Sequence, residues 1–418
     1  MNKRKDEIFT GVEIGSHSIK VLMGKFLEDD IISVTGASEQ PSLKVRKGNI
    51  IDAAIVQEQL MKALAAAEKN SGKEIGDIFL AVTGGSVRSV SSIGSAIIHS
   101  SEKRITEENI VTALENAKAY TLSPDQMVLH HVDRRYLIDG TREVPNPEGQ
   151  VGSRLEAEIQ ILYGRRNNIE TFAGMLRDVM GYPVSDIAFS GVASGYGVLS
   201  TSDMEQGSLV IDVGSGVTEY VLFNGAGVYH SGQITVGVDH IANDLSLGLK
   251  LQLPRCRKIL KSLSDFGGSV SMTPDGGKRV MEVEALGGEK RRIPVSSIEH
   301  IIELRLQELF EVIRKDIRNQ EGLSRISNGI TITGGGALLP GVTELVERCF
   351  DVQVEVGEPL LLSGQEDVLE SPRYAAVAGL LRWGRMVFDV SETNPPLSTQ
   401  LKDDIGRFCN ALKKAFRW

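Results

Sequence analysis

One pattern occurs twice in this chain and limits the folds open to it: an apolar strand, an acidic residue, a glycine-rich turn and a second strand. The first copy lies within residues 8–26 and the second within residues 208–223. The acid at the strand end is Glu13 in the first copy and Asp212 in the second. Because one unit recurs in two parts of the chain, we predict two halves built on one plan.

Both turns have the composition of a phosphate-binding loop. Glycines let backbone N–H groups approach phosphate oxygens, because no Cβ stands in the way, and hydroxyl groups add donors. An acid beside a phosphate is repelled unless a cation lies between them, so Asp212 is a candidate ligand to the hydration shell of Mg²⁺. Glu13 and Glu219 are further candidates to hold metal-bound water, and no residue is assigned as catalytic. The candidate nucleotide-binding residues of the two turns are Gly15, Ser16, His17, Ser18, Gly214, Ser215, Gly216 and Thr218.

A third turn of three glycines, Gly334, Gly335 and Gly336, follows a predicted strand at residues 329–333. Such a turn lets a flat adenosine approach the backbone closely. Each turn alone is also typical of an ordinary tight connection, but the three together favour a single ATP site. The chain contains no G-x-x-x-x-G-K-[ST] segment and no G-x-G-x-x-G after its first strand, so neither a P-loop nor a Rossmann site is predicted.

Strands and helices alternate along the chain, which is typical of an α/β fold. Residues 87–163 combine Ser-rich strands with a helix for which Thr106 is a plausible N-cap, and we expect an inserted module here. That this stretch simply belongs to the first domain is the alternative, and periodicity does not decide between them. Further predicted elements are a strand at 78–84 and helices at 52–70, 167–180, 297–320, from 341, and 371–388.

The composition argues against several classes of function. The 418 residues carry a net charge of −9, the wrong sign for a general nucleic-acid-binding surface. The three cysteines lie far apart and form no C-x-x-C pair, which argues against structural zinc and suits a reducing compartment. No secretory signal is recognised, and no stretch reaches the ~20 apolar residues that span a bilayer. We therefore expect a cytoplasmic body.

The last segment, 401–418, is an exception to the acidic balance. Its apolar residues fall at helical spacing on one stripe, and from Arg407 onward it has four bases and no acid. This pattern predicts a helix lying in the membrane interface, preceded by a Pro/Ser/Thr-rich linker at 389–400. A helix docked on the globular body is the alternative. The candidate membrane-binding residues are Ile405, Phe408, Leu412, Lys413, Lys414, Phe416, Arg417 and Trp418.

Several segments resemble, in order, the FtsA family of actin-like bacterial cell division proteins. They are GVEIGSHSIKVL (11–22), VGSRLEAEIQI (151–161), FSGVASGYGVL (189–199), LVIDVGSGVTEY (209–220), TVGVDHIANDL (235–245), TITGGGALLPGV (331–342) and SPRYAAVAGLL (371–381). The resemblance implies an α/β actin-like fold, in which two halves, each with a mixed β-sheet flanked by helices, surround a central nucleotide cleft.

The resemblance also implies a division of the chain into subdomains. Its boundaries are 1–86 and 164–205 for subdomain 1A, 87–163 for the inserted, relocated subdomain 1C, 206–240 and 311–388 for subdomain 2A with a return to 1A, 241–310 for subdomain 2B, 389–400 for the linker and 401–418 for the membrane-targeting helix.

The function implied by the resemblance is that of an adaptor and not an enzyme. A protein of this family binds ATP with Mg²⁺, polymerises, and anchors the FtsZ ring to the cytoplasmic face of the cell membrane at the division site. Its expected partners are the FtsZ C-terminal peptide, other copies of itself, other division proteins and the anionic membrane surface. Arg305 matches a position that carries the FtsZ contact, although a solvated arginine on a core helix is the alternative.

The chain departs from its relatives at several site positions. Glu219 stands where relatives usually have Asp, Glu13 stands where most of the superfamily has Asp, and Ser18 stands where many have Lys or Thr. Lys20, on the same strand face, either substitutes for the missing cation or is a solvated surface lysine. His17 either donates to a phosphate or faces water. These departures predict weak or undetectable ATP hydrolysis.

Two other readings of the same fold stay open. A sugar kinase of the actin superfamily would need a catalytic Asp in a sugar pocket, and no motif for one is present. A pilus-assembly adaptor would share the inserted subdomain but would have no use for the basic amphipathic tail.

Overall fold

The computed structural model describes residues 7–393 apart from 28–30, 85–86, 180, 183, 226, 265–271, 276–277, 285–289, 366–367 and 369. The predicted tail helix 401–418, with all its candidate membrane-binding residues, lies outside the described residues.

Strands and helices alternate as the sequence predicts. The strands are β1 Phe9–Ile14, β2 Ser18–Phe26, β3 Ile32–Pro41, β4 Val45–Arg46, β5 Asn49–Ile50, β6 Asp77–Val82, β7 Arg88–Ile97, β8 Gln126–Ile138, β9 Arg142–Val144, β10 Arg154–Arg165, β11 Val184–Phe189, β12 Ser208–Val213, β13 Thr218–Asn224, β14 Gly227–Ile234, β15 Met272–Asp275, β16 Lys278–Glu284, β17 Lys290–Pro294, β18 Ile330–Thr333, β19 Val354–Val356 and β20 Leu362–Gly364. The helices are α1 Ala53–Ser71, α2 Glu107–Lys118, α3 Arg166–Gly174, α4 Ser190–Val198, α5 Thr201–Gln206, α6 Val238–Leu249, α7 Leu253–Ser264, α8 Val295–Asn319, α9 Val342–Phe350 and α10 Ala375–Thr393.

The first half is built on a six-stranded sheet with the order β11-β6-β1-β2-β3-β20. β1 and β2 form an antiparallel hairpin, whereas β6 runs parallel to β1. Helix α1 packs on one face, and α4 and α10 pack on the other. Gly11 in β1 lets α10 approach, because a Cβ there would meet the carbonyl oxygen of Val377. The last helix therefore completes the first core, where Val377, Leu380 and Leu381 are fully buried.

The second half repeats this plan around a five-stranded sheet with the order β14-β13-β12-β18-β19. β12 and β13 form the antiparallel hairpin, and β18 runs parallel to β12. Apolar residues of α6, α7, α8 and α9 cover one face of this sheet. Helix α4 contacts β12 and β13 as well as α10, so it lies between the two halves.

A four-stranded antiparallel sheet with the order β7-β10-β8-β9 forms a separate unit between β6 and α3. Helix α2 packs on it, and the two enclose a core of their own. Thr106 caps α2 as the sequence predicts, in a capping box with Asn109. We call residues 88–165 the inserted unit. Because this unit has its own sheet and its own core, strand and helix signals recur here without continuing the first sheet.

The inserted unit is fastened to the second half by polar contacts along β14. The Tyr229 ring lies between two guanidinium groups, with the Arg134 Cζ 4.1 Å and the Arg325 Cζ 4.4 Å from the ring centroid. Arg325 also pairs with Glu143 of β9 at 3.0 Å, and Arg134 pairs with the buried Glu158 of β10 at 2.5 Å. These contacts join β8, β9 and β10 to the second half.

Two sequence predictions need correction. The helix expected at 167–180 is α3 followed by a single π-helical stretch, Met175–Val179, so it is not one regular helix. The linker expected at 389–400 begins too early, because α10 continues to Thr393. Proline disfavours the helical conformation of the residue before it, and the first proline of this segment is Pro395, so α10 can continue past residue 388. None of the helices in the described ranges is long and apolar enough to cross a membrane.

Candidate functional site

The first turn joins β1 to β2 and is closed by a hydrogen bond from the Gly15 N–H to the Ser18 carbonyl oxygen at 3.0 Å. Across the hairpin Glu13 stands opposite Lys20, and the Lys20 Nζ lies 2.8 Å from the Glu13 Oε2. Burial opposes the charge of Lys20, but the attraction and hydrogen bond of Glu13 outweigh it, so the pKa of Lys20 is raised. Lys20 is therefore a buried partner of Glu13, and its interpretation as a solvated surface lysine is wrong.

The second turn joins β12 to β13 and has the same backbone. The Gly214 N–H donates to the Val217 carbonyl oxygen at 3.0 Å, and Asp212 stands opposite Glu219. Glu219 thus occupies the position that Lys20 occupies in the first hairpin. Where the first turn pairs an acid with a cation, the second places two carboxyl groups on one strand face.

Hydroxyl donors from helix α4 hold both of these carboxyl groups. The Ser194 hydroxyl donates to the Asp212 Oδ2 at 2.5 Å, and the Ser190 hydroxyl donates to the Glu219 Oε2. The other oxygen of Glu219 accepts from the Thr83 hydroxyl at 2.8 Å and from the Gly84 N–H at 3.2 Å. Three donors outside the second sheet therefore converge on the single carboxyl group of Glu219.

Burial weakens the acidity of both carboxyl groups. It raises the pKa of Asp212 to about 6, against the Ser194 hydrogen bond and with a contribution from the charge of Glu13. Burial also raises the pKa of Glu219 to about 7, against the Ser190 and Thr83 hydrogen bonds and with a contribution from Asp212. The charge of Lys20 only partly offsets the raised pKa of Asp212. The second hairpin supplies no cation from its own strands, and a bound metal ion would lower both pKa values.

The triple-glycine turn lies beside the second hairpin. Gly334 has a φ of 79°, a conformation that side chains rarely adopt, and a Cβ there would collide with the Asp212 carboxyl group. A Cβ on Gly336 would collide with Val213, whereas a Cβ on Gly335 would meet no atom within 4 Å. Gly334 and Gly336 are therefore needed for close packing, and Gly335 is the glycine that faces open space.

A cavity of about 550 Å³ lies where the three turns meet. Its volume is in the range of small-molecule sites. The predicted site residues that line it are Glu13, Gly15, Ser16, His17, Ser18, Asp212, Gly214, Ser215, Gly216, Glu219, Gly334 and Gly335. Thr218 and Gly336 do not line it, because the Thr218 hydroxyl donates to the Val236 carbonyl oxygen at 2.9 Å and Gly336 faces Val213.

Helix α7 gives the cavity basic lining residues. It contributes Arg257, Lys258 and Lys261 to the wall. Arg257 pairs with Asp239 of α6 at 2.8 Å. The cavity is therefore lined by carboxyl groups at the two hairpins and by bases of α7.

The predicted His17 lines the cavity, and partial desolvation of its ring there lowers its pKa. Ser18 hydrogen-bonds to Glu39 and helps to lower the pKa of that carboxyl group, although burial opposes it. His17 is therefore largely neutral at pH 7, and it can donate to a ligand through one ring nitrogen.

Sequence reasoning missed Ser190 and Ser194. Their spacing of four residues places both hydroxyls on one face of a helix, which is the signal that could have found them. The segment SGVASGYGV reads as a loop by composition, because it holds three glycines and two serines in nine residues. Every residue of α4 is buried, and the glycines permit close packing between the two halves.

Arg305 lies in α8 and does not line the cavity. Its guanidinium group is half-buried and makes two hydrogen bonds with Asp244, at 2.6 and 3.1 Å, and one with Glu308 at 2.5 Å. Arg305 is therefore held by acids of its own chain, which the sequence prediction did not foresee.

The carboxyl groups of the two hairpins fit a hydrated metal ion better than a directly bound one. Among the described residues, no group of three or more His, Cys, Asp or Glu side chains is placed to hold a metal ion. Asp212 and Glu13 flank phosphate-type turns, and the charge of Glu13 contributes to the raised pKa of Asp212. Magnesium commonly keeps several waters and binds through one or two carboxylates and substrate phosphates.

Comparison with known proteins gives matches along most of the chain. The family model of cell division protein FtsA matches residues 209–379, and that of the SHS2 domain inserted in FtsA matches residues 84–163. The chain is 28% identical over 381 residues to the cell division protein FtsA of Borreliella burgdorferi, covering 90% of each protein.

Two solved structures share the fold. The PilM-PilN type IV pilus biogenesis complex aligns with a TM-score of 0.63 at 15% identity, over 91% of this chain and 99% of that one. MreB5 of Spiroplasma citri bound to ADP aligns with a TM-score of 0.55 at 14% identity, over 93% of this chain and all of that one. The predicted α/β actin-like fold is confirmed.

Proposed function

The chain belongs to the FtsA family of bacterial cell division proteins, and from this membership we propose that it is an ATP-binding adaptor that anchors the FtsZ ring to the cytoplasmic face of the membrane. In this role it polymerises at the division site and helps to recruit later division proteins. Nucleotide binding, membrane binding and peptide binding are separate steps of the proposal, and each has its own test.

One observation carries the nucleotide step: two equivalent acid–glycine hairpins from two halves line one cavity, and the third glycine turn closes it. Phosphates would lie at Gly15, Ser16, Gly214 and Gly216, and adenosine would lie toward Gly335. Asp212, with Glu13, would hold Mg²⁺ through water. The actin-like MreB5, which shares the fold, is bound to ADP in its solved structure, and this is consistent with nucleotide binding by the present chain.

Gly335 gives a sharp test of this step, because it lines the cavity and a Cβ there would meet no protein atom within 4 Å. Gly335→Asp places a carboxylate against the nucleotide and should abolish ATP·Mg²⁺ binding in calorimetry. Gly335→Ala adds only a methyl group and should weaken binding less. Normal ATP affinity of a folded Gly335→Asp protein would disprove the cleft assignment.

We expect weak or undetectable ATP hydrolysis. The Glu219 carboxyl group accepts from Ser190, Thr83 and Gly84, so both of its oxygens are already engaged. Turnover at ordinary kinase rates, on the order of 1–100 s⁻¹, would contradict this expectation.

The membrane step rests on residues 401–418. Their apolar stripe and the four bases from Arg407 onward favour adsorption on an anionic surface, where each base contributes about 1 kcal/mol. The test is flotation of full-length and truncated protein with anionic vesicles. The truncation should end at Thr393, because α10 continues to that residue. Equal flotation of both proteins would refute the anchor.

Two substitutions separate the apolar and electrostatic parts of this binding. Trp418→Glu removes apolar burial and adds a repelled charge, so it should release the protein at any salt concentration. Lys413→Ala with Lys414→Ala removes only charge, so it should weaken binding mainly at low salt, where screening is small. Polymerised protein should bind more tightly than monomer, because many tails then act together.

The peptide step places the FtsZ C-terminal peptide on α8 near Arg305. Because Arg305 is bound to Asp244, an acidic peptide would have to replace that carboxylate. Arg305→Glu should therefore weaken binding more than tenfold, or about 1.4 kcal/mol. Asp244→Ala with Glu308→Ala should strengthen it, because Arg305 then loses both of the acids that hold it. Unchanged affinity of both variants in fluorescence anisotropy would move the site elsewhere.

The alternative adaptor of pilus assembly shares the fold, as the alignment with the PilM-PilN complex indicates. A likeness of 15% identity supports the fold and no more. Vesicle flotation separates the proposed division adaptor from the pilus adaptor and from a sugar kinase. Neither alternative has a use for a membrane-binding tail.

A further inference from the structure

The short turn that joins β4 to β5 has an unusual residue at its first position. Arg46 pairs with Asn49, so the loop consists of Lys47 and Gly48 alone. Lys47 has a φ of 50° and Gly48 has a φ of 69°. Hairpin loops of this length with positive φ at both central residues favour Asn, Asp or Gly at the first of them. The chain has a lysine there instead, and side chains held in this region of φ often belong to ligand-binding sites.

The tip of this turn packs against both halves of the molecule. The Gly48 N–H donates to the Ser16 hydroxyl of the first turn at 3.4 Å. A Cβ on Gly216, in the second turn, would lie 3.2 Å from the Lys47 backbone nitrogen. A Cβ on Gly48 would lie 2.2 Å from the Cα of Gly84, just after β6. The backbone of Lys47 is therefore fixed where the two phosphate-type turns approach each other.

The charge of Lys47 is available to a ligand. Its side chain is exposed, and no ion pair of its ammonium group is found among the described residues. Desolvation is the main cause of the lowered pKa of His240 in α6, and the charge of Lys47 is the next. Helix α6 begins at the second turn, where the Val238 N–H donates to the Gly214 carbonyl oxygen at 3.1 Å. Lys47 thus places positive charge close to the second turn.

The other bases around the cavity are placed differently. Lys20 is buried against Glu13, so its charge is already balanced. Arg257 belongs to α7, which packs against the triple-glycine turn, toward which adenosine would lie. Arg373 is close enough to Glu39 for their charges to interact. Lys47, by contrast, adjoins both phosphate-type turns and has no acid of the described chain paired with it.

From this placement we propose that Lys47 binds the terminal phosphate of a nucleoside triphosphate and lets the chain distinguish a triphosphate from a diphosphate. The inference rests on the proposed ATP site and adds a specificity-determining residue to it. Lys47 does not line the cavity itself, but its turn adjoins Ser16 and Gly216, which do. A phosphate held by these two turns is therefore within reach of a flexible side chain whose ammonium group donates in several directions.

Lys47→Asn tests this contact without disturbing the turn. It removes the ammonium group and introduces a residue that suits a positive φ, so thermal unfolding without nucleotide should be unchanged or occur at a higher temperature. Affinities for ATP·Mg²⁺ and ADP·Mg²⁺ are then measured by calorimetry on the full chain. Lys47→Asn should lose on the order of tenfold in ATP affinity, as expected for a charged hydrogen bond, and little in ADP affinity.

Two further variants separate a direct contact from general charge. Lys44→Gln removes another exposed lysine, just before β4, and should change neither affinity. Lys47→Arg keeps the charge and should keep the preference for ATP.

The outcomes distinguish this inference from the site on which it rests. Equal losses of ATP and ADP affinity in Lys47→Asn, no loss of ATP affinity, or the same loss in Lys44→Gln would overturn the role of Lys47 and leave the ATP site in place. Unaltered protein that binds neither nucleotide would overturn the proposed ATP site, and the role of Lys47 with it.

Discussion

The two acid–glycine hairpins have the same backbone and opposite charge. In the first, Glu13 faces Lys20, and the pair is neutral in its buried setting. In the second, Asp212 faces Glu219, and hydroxyl groups of α4 take the place of a cation. Repetition of a fold thus fixes where side chains stand but not which charges they carry. In the first hairpin the charges of Glu13 and Lys20 cancel without a ligand. In the second, the pKa values of Asp212 and Glu219 are raised, and a bound metal ion would lower them.

Replacing Lys20, the cation of the first hairpin, should have the largest effect on the difference in charge between the two hairpins. Lys20→Met keeps most of the side-chain volume and leaves Glu13 half-buried without a partner. We expect the free energy of unfolding to fall by about 3–5 kcal/mol at pH 7, measured by denaturant titration. Adding Glu13→Gln should recover part of the loss. A loss below about 1 kcal/mol would mean that solvent compensates Glu13.

Neutralising the equivalent position in the second hairpin should act in the opposite direction. The folded-state pKa of Glu219 is about 7 against an ordinary 4.5, so folding favours its protonated form. Its contribution to stability is therefore present below pH 4.5 and lost as the pH rises to 7. Glu219→Gln should stabilise the protein at pH 8 by up to about 3 kcal/mol and change little at pH 4.5.

The matched control for this prediction is Glu13→Gln. It removes the partner of Lys20, so it should destabilise the protein at pH 8 where Glu219→Gln stabilises it. Thermal unfolding of both variants across pH 4.5–8 measures whether each substitution stabilises or destabilises the protein. Destabilisation by both substitutions would show that the two hairpins do not differ in the proposed way.

The smallest effect is expected at the hydroxyl that holds Asp212. Ser194→Ala removes a hydrogen bond to the ionised carboxyl group and should cost about 1–2 kcal/mol above pH 6 and less below it. Ser92→Ala is the control, because its hydroxyl donates to the Ala117 carbonyl oxygen, which does not titrate. A Ser194→Ala effect that is independent of pH would contradict the role assigned to this contact.

The sequence predicts the hairpins well because their signals are local. An acid at a strand end, glycines and a following strand are all within about ten residues, and the register follows from the turn. The same locality explains the long helix α8, expected at 297–320 and observed at Val295–Asn319. Boundaries of this kind depend on periodicity within one element.

The parts that were missed depend on tertiary packing. Helix α4 is rich in glycine and has no amphipathic pattern, because both of its sides are buried between the halves. Its serines acquire their role only when α4 meets β12 and β13. Lys20 is likewise buried because it lies in the cleft between the two halves. The sequence of β2 alone does not predict this burial. The partner of Arg305, Asp244, is 61 residues away and could not be paired with it by spacing.

The position of α10 also has a consequence for biosynthesis. This helix covers β1, β2 and β6, which are made more than 290 residues earlier, as the interval from Val82 to Ala375 shows. Until α10 leaves the ribosome, one face of the first sheet lacks its cover, while the second half already holds its own helices. A chain that stops short of Ala375 therefore presents apolar surface to chaperones and proteases. Translation through α10 is therefore the step that completes the core of the first half.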